Sequence, residues 1–181
     1  MKQPSLIVIG GFAGAGKTTL ATKLSGQYNF PILSSDVIND ALRSAFQRGF
    51  QEMSPMAYTV MWHLVRQQLK NGVTVIVDTH MATPQVWEKL DLLHTDMPSV
   101  QIVPIILQCT LQTHRERIEE RGRTNTEHLN LGGDKLEDVL FKYEFIEQLH
   151  RADLIRVDAN KTPEAVYESV KAILKEHQIL Q

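Results

Sequence analysis

A single cysteine, Cys109, stands among 181 residues, so the chain cannot close a disulfide on itself. No motif surrounds it, and it reads as a small core residue at a strand end rather than a catalytic thiol. Long apolar runs are also missing. Met1-Lys2-Gln3-Pro4 leads into a run too short for a signal or membrane segment, so the expectation is a cytoplasmic protein with no membrane partner. Neither sign of charge is in excess. Lys and Arg number 19 against 21 Asp and Glu, a net charge of −2, which speaks against a life on duplex nucleic acid and favours a small-molecule partner. The seven histidines show no metal-ligand spacing, and there is no internal repeat, low-complexity tract or linker. What remains is one domain over residues 1–181, large enough for a sheet covered on both faces.

Within that domain the most informative stretch is Leu6-Ile-Val-Ile-Gly10, an apolar run that passes directly into Gly11-x-x-x-x-Gly16-Lys17-Thr18. The run fits a strand buried on both faces, and Leu20, Ala21 and Leu24 follow at helical spacing. A loop of this spacing between a strand and a helix is a phosphate-binding loop. Gly11, Gly14 and Gly16 allow positive φ and close approach of the backbone to an anion. The N–H groups from Ala13 and Ala15 through Thr19 can then turn inward at the positive end of the helix. Lys17 supplies a point charge for β- and γ-phosphate oxygens, and the Thr18 hydroxyl is a ligand for Mg²⁺. A nucleoside triphosphate is the expected ligand.

Strands alternate with helices along the rest of the chain. Phe30–Leu33 reads as the second strand, and Ser34, Ser35 and Asp36 cap a helix that runs to about Gln47. Residues 48–55 read as a loop, with Ser54 and Pro55 opening a helix that carries Tyr58, Met61, Trp62, Val65 and Leu69 and ends at Asn71-Gly72. Val73–Val77 is the third strand, and Thr83-Pro84 starts a helix with Val86, Trp87, Leu90 and Leu93 on one face. Gln101 to Gln108 is the fourth strand, followed by a strongly charged helix over Leu111–Arg121 and a Gly-rich segment over 122–133. A further helix is expected over 135–150, a short strand over Asp153–Val157, and a last helix from Thr162-Pro163. Five strands in this alternation predict a doubly wound parallel α/β domain with its ligands at the carboxyl ends of the strands.

Three aspartates fall at those ends: Asp36, Asp78 and Asp158. Asp78 closes an apolar strand, as a residue holding Mg²⁺ directly or through water does. Asp36 is placed to accept the proton of an acceptor hydroxyl, although the same residues would also cap a helix. Asp158 reads as a loop aspartate, and His80 as solvated or locally bonded. In Arg115–Arg121, Arg117 and Arg121 share one helix face, and Arg115 pairs with Glu119. A salt-bridged surface helix accounts for this pattern. So does a functional role in which Arg117 stacks on adenine and Arg121 reaches phosphate oxygens as the γ-phosphoryl group moves, with Arg123 joining from the adjoining segment.

The chain resembles the P-loop small-molecule kinases related to adenylate, gluconate and shikimate kinases. It is most similar to a branch of short kinases that also resembles chloramphenicol phosphotransferase, zeta toxins and the 5′-kinase half of polynucleotide kinase. Four marks carry the resemblance: Gly11 to Thr19, Ser34-Ser35-Asp36, Val77-Asp78-Thr79, and Cys109 followed by Arg117-x-x-x-Arg121. It implies a three-layer fold with a five-stranded parallel sheet in the order 2-3-1-4-5. It also implies ATP and Mg²⁺ as the donor, Asp36 as base, and an arginine lid over about 115–134. Helices over about 35–71 would line the acceptor pocket, with Asn39, Asp40, Arg43 and His63 as candidates. The expected reaction is transfer of the γ-phosphoryl group to a hydroxyl of a small metabolite. A 5′-hydroxyl nucleic-acid kinase and a nucleotide-binding switch are the alternatives. His80 and the segment 122–133 depart from the family pattern where acceptor and lid identity are set.

Overall fold

All seven residues of the first strand, Ser5–Gly11, are buried, because this strand has a neighbour on each side and a layer of helices on each face. The arrangement comes from a computed structural model that describes residues 3–122, 148 and 150–180. In chain order the elements are β1 (Ser5–Gly11), α1 (Lys17–Tyr28), β2 (Ile32–Ser34), α2 (Ser35–Phe46), α3 (Phe50–Lys70) and β3 (Val75–Asp78). They continue with α4 (Pro84–Asp96), β4 (Gln101–Gln108), α5 (Leu111–Gly122), β5 (Ile155–Asp158) and α6 (Pro163–Glu176). The five strands form one parallel sheet in the order β2-β3-β1-β4-β5. That is the order the resemblance implied. The Gly-rich segment beyond Gly122, with Arg123, and all of the expected helix over 135–150 except residues 148 and 150 lie outside the described residues.

Side chains alternate across β1 and build two cores. Ile7 and Ile9 face α1 and α6, where they pack with Leu20, Leu24, Val170 and Leu174. Leu6 and Val8 face α3 and α4, where Met61, Val65, Trp87 and Leu90 meet them. Thr162 caps α6 as expected, its hydroxyl accepting from the Ala165 N–H at 3.3 Å with Pro163 at the first helical position. No helix among the described residues is long and apolar enough to cross a membrane.

One boundary differs by more than a residue or two. Residues 50–55, read from sequence as loop, are the first turns of α3, and Pro55 lies inside the helix rather than at its start. The reason is packing: Met53, Ala57, Met61, Val65 and Leu69 recur every four residues, and all are buried. Burial of Met53 extends the apolar stripe one turn upstream of Ala57 and so past the proline. Pro55 has no N–H, so the Gln51 carbonyl has no i+4 donor, a local loss that the stripe outweighs. Smaller shifts occur at β3, which begins at Val75 rather than Val73, and at β5, which begins at Ile155 rather than Asp153.

Candidate active site

The loop after β1 leaves the strand at the carboxyl end of the sheet and closes on the N-terminus of α1. Gly11, Gly14 and Gly16 have φ of 138°, 81° and 95°, all in the region that L side chains avoid, as the spacing predicted. Phe12 to Ala15 forms a turn closed by the Ala15 N–H on the Phe12 carbonyl at 3.1 Å. The Lys17 ammonium donates to the same carbonyl at 3.2 Å, which folds this cation back over the loop it belongs to. Thr18 stands in the first turn of α1 and donates its hydroxyl to Asp78 Oδ2 at 2.6 Å, across a separation of 60 residues. Thus β1 and β3, paired side by side, bring together the two residues expected to hold a metal.

A second cluster lies next to them. The Tyr58 hydroxyl of α3 is 2.9 Å from Thr79 Oγ1 and is also hydrogen-bonded with Ser35. Burial pushes the Tyr58 phenol up from its ordinary value; the bonds to Thr79 and Ser35 oppose this, and the Asp36 and Asp78 carboxylates add to it. It therefore remains a neutral donor at physiological pH. Asp36 is exposed in the first turn of α2, on the Tyr58 side of the site. Ser34 is the N-cap residue by position but makes no side-chain cap bond, so the expected cap is not made. The neighbouring Ser35 is buried against Tyr58 instead.

The segment after β3 is tightly set. Met81 is fully buried at φ 53° and packs on Gly10 of β1, where an added Cβ would come within 2.8 Å of Met81 Cβ and Cγ. Trp87 Nε1 donates to the Met81 carbonyl at 3.1 Å. His80 is locally bonded, as expected: the Ala82 N–H donates to its Nδ1 at 3.1 Å, so in the neutral ring the proton sits on Nε2. From Tyr58 and His80 a groove of about 700 Å³ runs between α3 and α4, past Trp62 and His63 to Arg66 and Asp96. Trp62 serves both as core residue and as groove wall. Asn39 and Arg43 do not border this groove. Asn39 is buried and donates to the Phe50 carbonyl at 3.1 Å, while Arg43 lies 3.4 Å from Asp40.

On the other side of the loop is a cavity of about 420 Å³ between α1, α5 and the segment after β5, bordered by Gly14, Thr19, Lys23, Arg117, Glu120 and Lys161. The Arg117 guanidinium donates to the Gly14 carbonyl at 3.2 Å, to that of Ala159 at 2.9 Å and to that of Lys161 at 3.4 Å. Arg121 belongs to the last turn of α5, and its side chain lies outside the described residues. Asp158, expected as a loop aspartate, is instead the last residue of β5, in register with Gln108, and it accepts from Asn160 N and Nδ2 at 3.0 and 2.8 Å. Cys109 is half-buried against the core, and burial pushes its thiol up, against a smaller pull from Arg117 and Lys17.

The profile of the AAA domain family matches residues 6–146, a span that holds the phosphate loop, Asp36, Asp78 and α5. The chain belongs to the AAA domain family. Within this group of P-loop proteins it is similar to the deoxyguanosine kinase of Bacillus subtilis, 31% identical over 176 aligned residues that take in 84% of each chain. Its architecture is similar to the crystal structure of a candidate kinase from Chloroflexus aurantiacus, with a TM-score of 0.77 and 21% identity over 99% of this chain and all of the other. A gluconokinase from Sinorhizobium meliloti follows at a TM-score of 0.62 and 16% identity, over 97% of this chain and 94% of the other. The two structural matches establish the fold, which is that of the P-loop kinases. Sequence reasoning missed Tyr58 as part of the site; the available signal was a tyrosine on a core-facing helix stripe, whose hydroxyl needs a buried partner.

Proposed function

We propose that this P-loop kinase moves the γ-phosphoryl group of ATP to a hydroxyl of a nucleoside or a polar metabolite of similar size. The observation that carries the reading is the meeting, at the ends of β1 and β3, of the phosphate loop and Thr18–Asp78 pair with the Ser35, Tyr58 and Thr79 hydroxyls. Under this reading the triphosphate lies along Gly11 and the N–H groups of Ala13, Gly14, Ala15, Gly16, Lys17, Thr18 and Thr19. Lys17 transfers its donation from the Phe12 carbonyl to phosphate oxygens. The base enters the cavity beside Arg117, whose in-plane hydrogen bonds leave the guanidinium faces for stacking. Thr18 and Asp78 offer two hard oxygens 2.6 Å apart, a donor set that fits Mg²⁺, which takes most of its ligands from water and phosphate. When bound there, the ion would neutralise negative charge on the phosphate groups.

The acceptor enters from the Tyr58 and His80 side. Asp36 takes the proton from its hydroxyl while that oxygen bonds to the γ-phosphorus and the bond to the β-phosphate oxygen breaks, with Arg121 reaching the transferring group. Support for a nucleoside acceptor comes from the deoxyguanosine kinase relative and from the adjoining groove, which pairs aromatic Tyr58 and Trp62 with the amides of Gln51 and Gln85.

The test is phosphorylation of a panel of nucleosides, sugars and sugar acids with ATP, read by mass spectrometry, with short oligonucleotides as a separate arm. Lys17→Ala abolishes transfer. Asp36→Asn keeps ATP affinity and loses about 10²–10⁴ in rate. Turnover unchanged in Asp36→Asn removes the base assignment, and transfer to oligonucleotides alone replaces the small acceptor with a nucleic-acid end.

A further inference from the structure

Behind the phosphate loop, α5 presents a buried histidine that the reaction scheme above does not use. His114 is 5% exposed, its ring meets Phe12 edge-on at 5.0 Å, and its Nδ1 lies 3.0 Å from the Ala13 carbonyl, 101 residues away in sequence. A carbonyl only accepts, so Nδ1 carries the proton. The Cys109 sulfur is 3.3 Å from Nε2 and 3.4 Å from Nδ1, so it packs over the face of the ring and leaves the tautomer to the Ala13 carbonyl. The Nδ1–H bond to the Ala13 oxygen therefore fixes the tautomer and aims it at the loop, with the Cys109 sulfur backing the ring.

The Ala13 carbonyl belongs to the central peptide of the Phe12–Ala15 turn. Gly14 at the third position has φ 81°, while Ala13 is not among the positive-φ residues, so the turn is type II. Type I and type II turns differ by a flip of that central peptide, and a glycine in third place permits both. In a planar trans peptide the Ala13 oxygen and the Gly14 N–H point in opposite directions. A carbonyl drawn toward α5 thus turns the Gly14 N–H away from α5.

We infer that His114, its Nδ1–H held on the Ala13 carbonyl, is a positioning residue that selects the type II form of this turn and so presents the Gly14 N–H to the phosphates. This rests on the reading that Gly11–Thr18 holds ATP. Arg117, donating to the next carbonyl at Gly14, steadies the same turn from one helical turn further along α5. The charges facing His114 are those of Arg117 on its own helix and Lys17 on α1, and with burial they hold the ring neutral.

The test measures ATP affinity by calorimetry, and the Gly14 amide resonance by NMR, in wild type, His114→Leu, His114→Ala and His114→Asn. Lys17→Ala serves as the loop control. His114→Leu weakens ATP binding about tenfold to a hundredfold, the scale of losing one oriented backbone donor, while kcat at saturating ATP changes less than threefold. His114→Asn, whose amide N–H sits where Nδ1–H was, recovers most of the affinity. The Gly14 amide proton shifts downfield on ATP addition in wild type and His114→Asn but not in His114→Leu. ATP affinity equal to wild type in His114→Leu, with Lys17→Ala losing it, overturns the inference and leaves the loop reading intact. No ATP binding by wild type removes the loop reading itself. If His114→Leu does not fold, His114→Ala decides: ATP binding weaker than in His114→Asn supports the inference, and wild-type affinity in His114→Ala refutes it.

Discussion

Gly10→Ala asks how much the site depends on one close contact between β1 and the segment after β3. An added methyl would lie 2.8 Å from both Cβ and Cγ of Met81, which is fully buried at φ 53° with its carbonyl held by Trp87. Met81 cannot move outward without breaking that bond, and β1 is pinned by ladders to β3 and β4. Overpacking of this kind costs about 1–3 kcal/mol. With a urea m-value of about 2 kcal/mol/M, the unfolding midpoint falls by roughly 0.5–1.5 M. Thr79 and His80 lie between β3 and Met81, so turnover falls as well. Met81→Ala removes Cγ and Sδ but leaves the Cβ contact, and the same glycine change then costs about 1 kcal/mol less, measured as a double-mutant cycle. A midpoint within about 0.2 M of wild type in Gly10→Ala, or an equal cost in both backgrounds, refutes the reasoning.

Two further predictions concern groups with shifted titration. Tyr58→Phe removes the hydroxyl that bonds Ser35 and Thr79 and leaves the buried Ser35 short of a partner, so stability falls by about 1–2 kcal/mol in urea unfolding; an unchanged midpoint would show that the phenol oxygen holds nothing there. Burial above all, with Arg117 and Lys17 adding to it and the Ala13 bond opposing it, lowers the pKa of His114 below its ordinary 6.5. The unfolded chain then binds a proton near that value while the folded chain resists, so this contribution to stability is present above about 6.5. It is lost as pH falls from there through the folded pKa. Unfolding free energies from pH 7.5 to 5 show this slope in wild type and a shallower one in His114→Asn; equal slopes refute it.

Periodicity and turn chemistry suffice for most of the fold, because a parallel sheet buried on both faces writes each strand as an apolar run and each helix as a stripe with caps. Thr162-Pro163 and Thr83-Pro84 mark α6 and α4 to within a residue. Pro55 misleads for a physical reason: proline is preferred in a first turn, and only the burial of Met53 shows that the helix begins earlier. At the site, the glycine spacing and the strand-end position of Asp78 are local signals, and both are legible. The contacts of Tyr58, His114 and Arg117 are not, since each joins segments 21 to 103 residues apart through an atom that no local pattern specifies. Arg117 illustrates the limit well. Its helix face was readable, whereas its three carbonyl partners depend on how the loop after β5 returns to the phosphate loop.

The central place of β1 also bears on how the protein is made. Of the five strands, the one that carries the phosphate loop is synthesised before the others, yet its partners are residues 75–78 and 101–108. At about 5–20 residues per second, a seven-residue apolar strand waits roughly 5–20 s after emergence before both of its edges can be paired. Through that interval it is an open template for another chain, so the yield of soluble protein at high expression should depend on how quickly translation reaches Gln108.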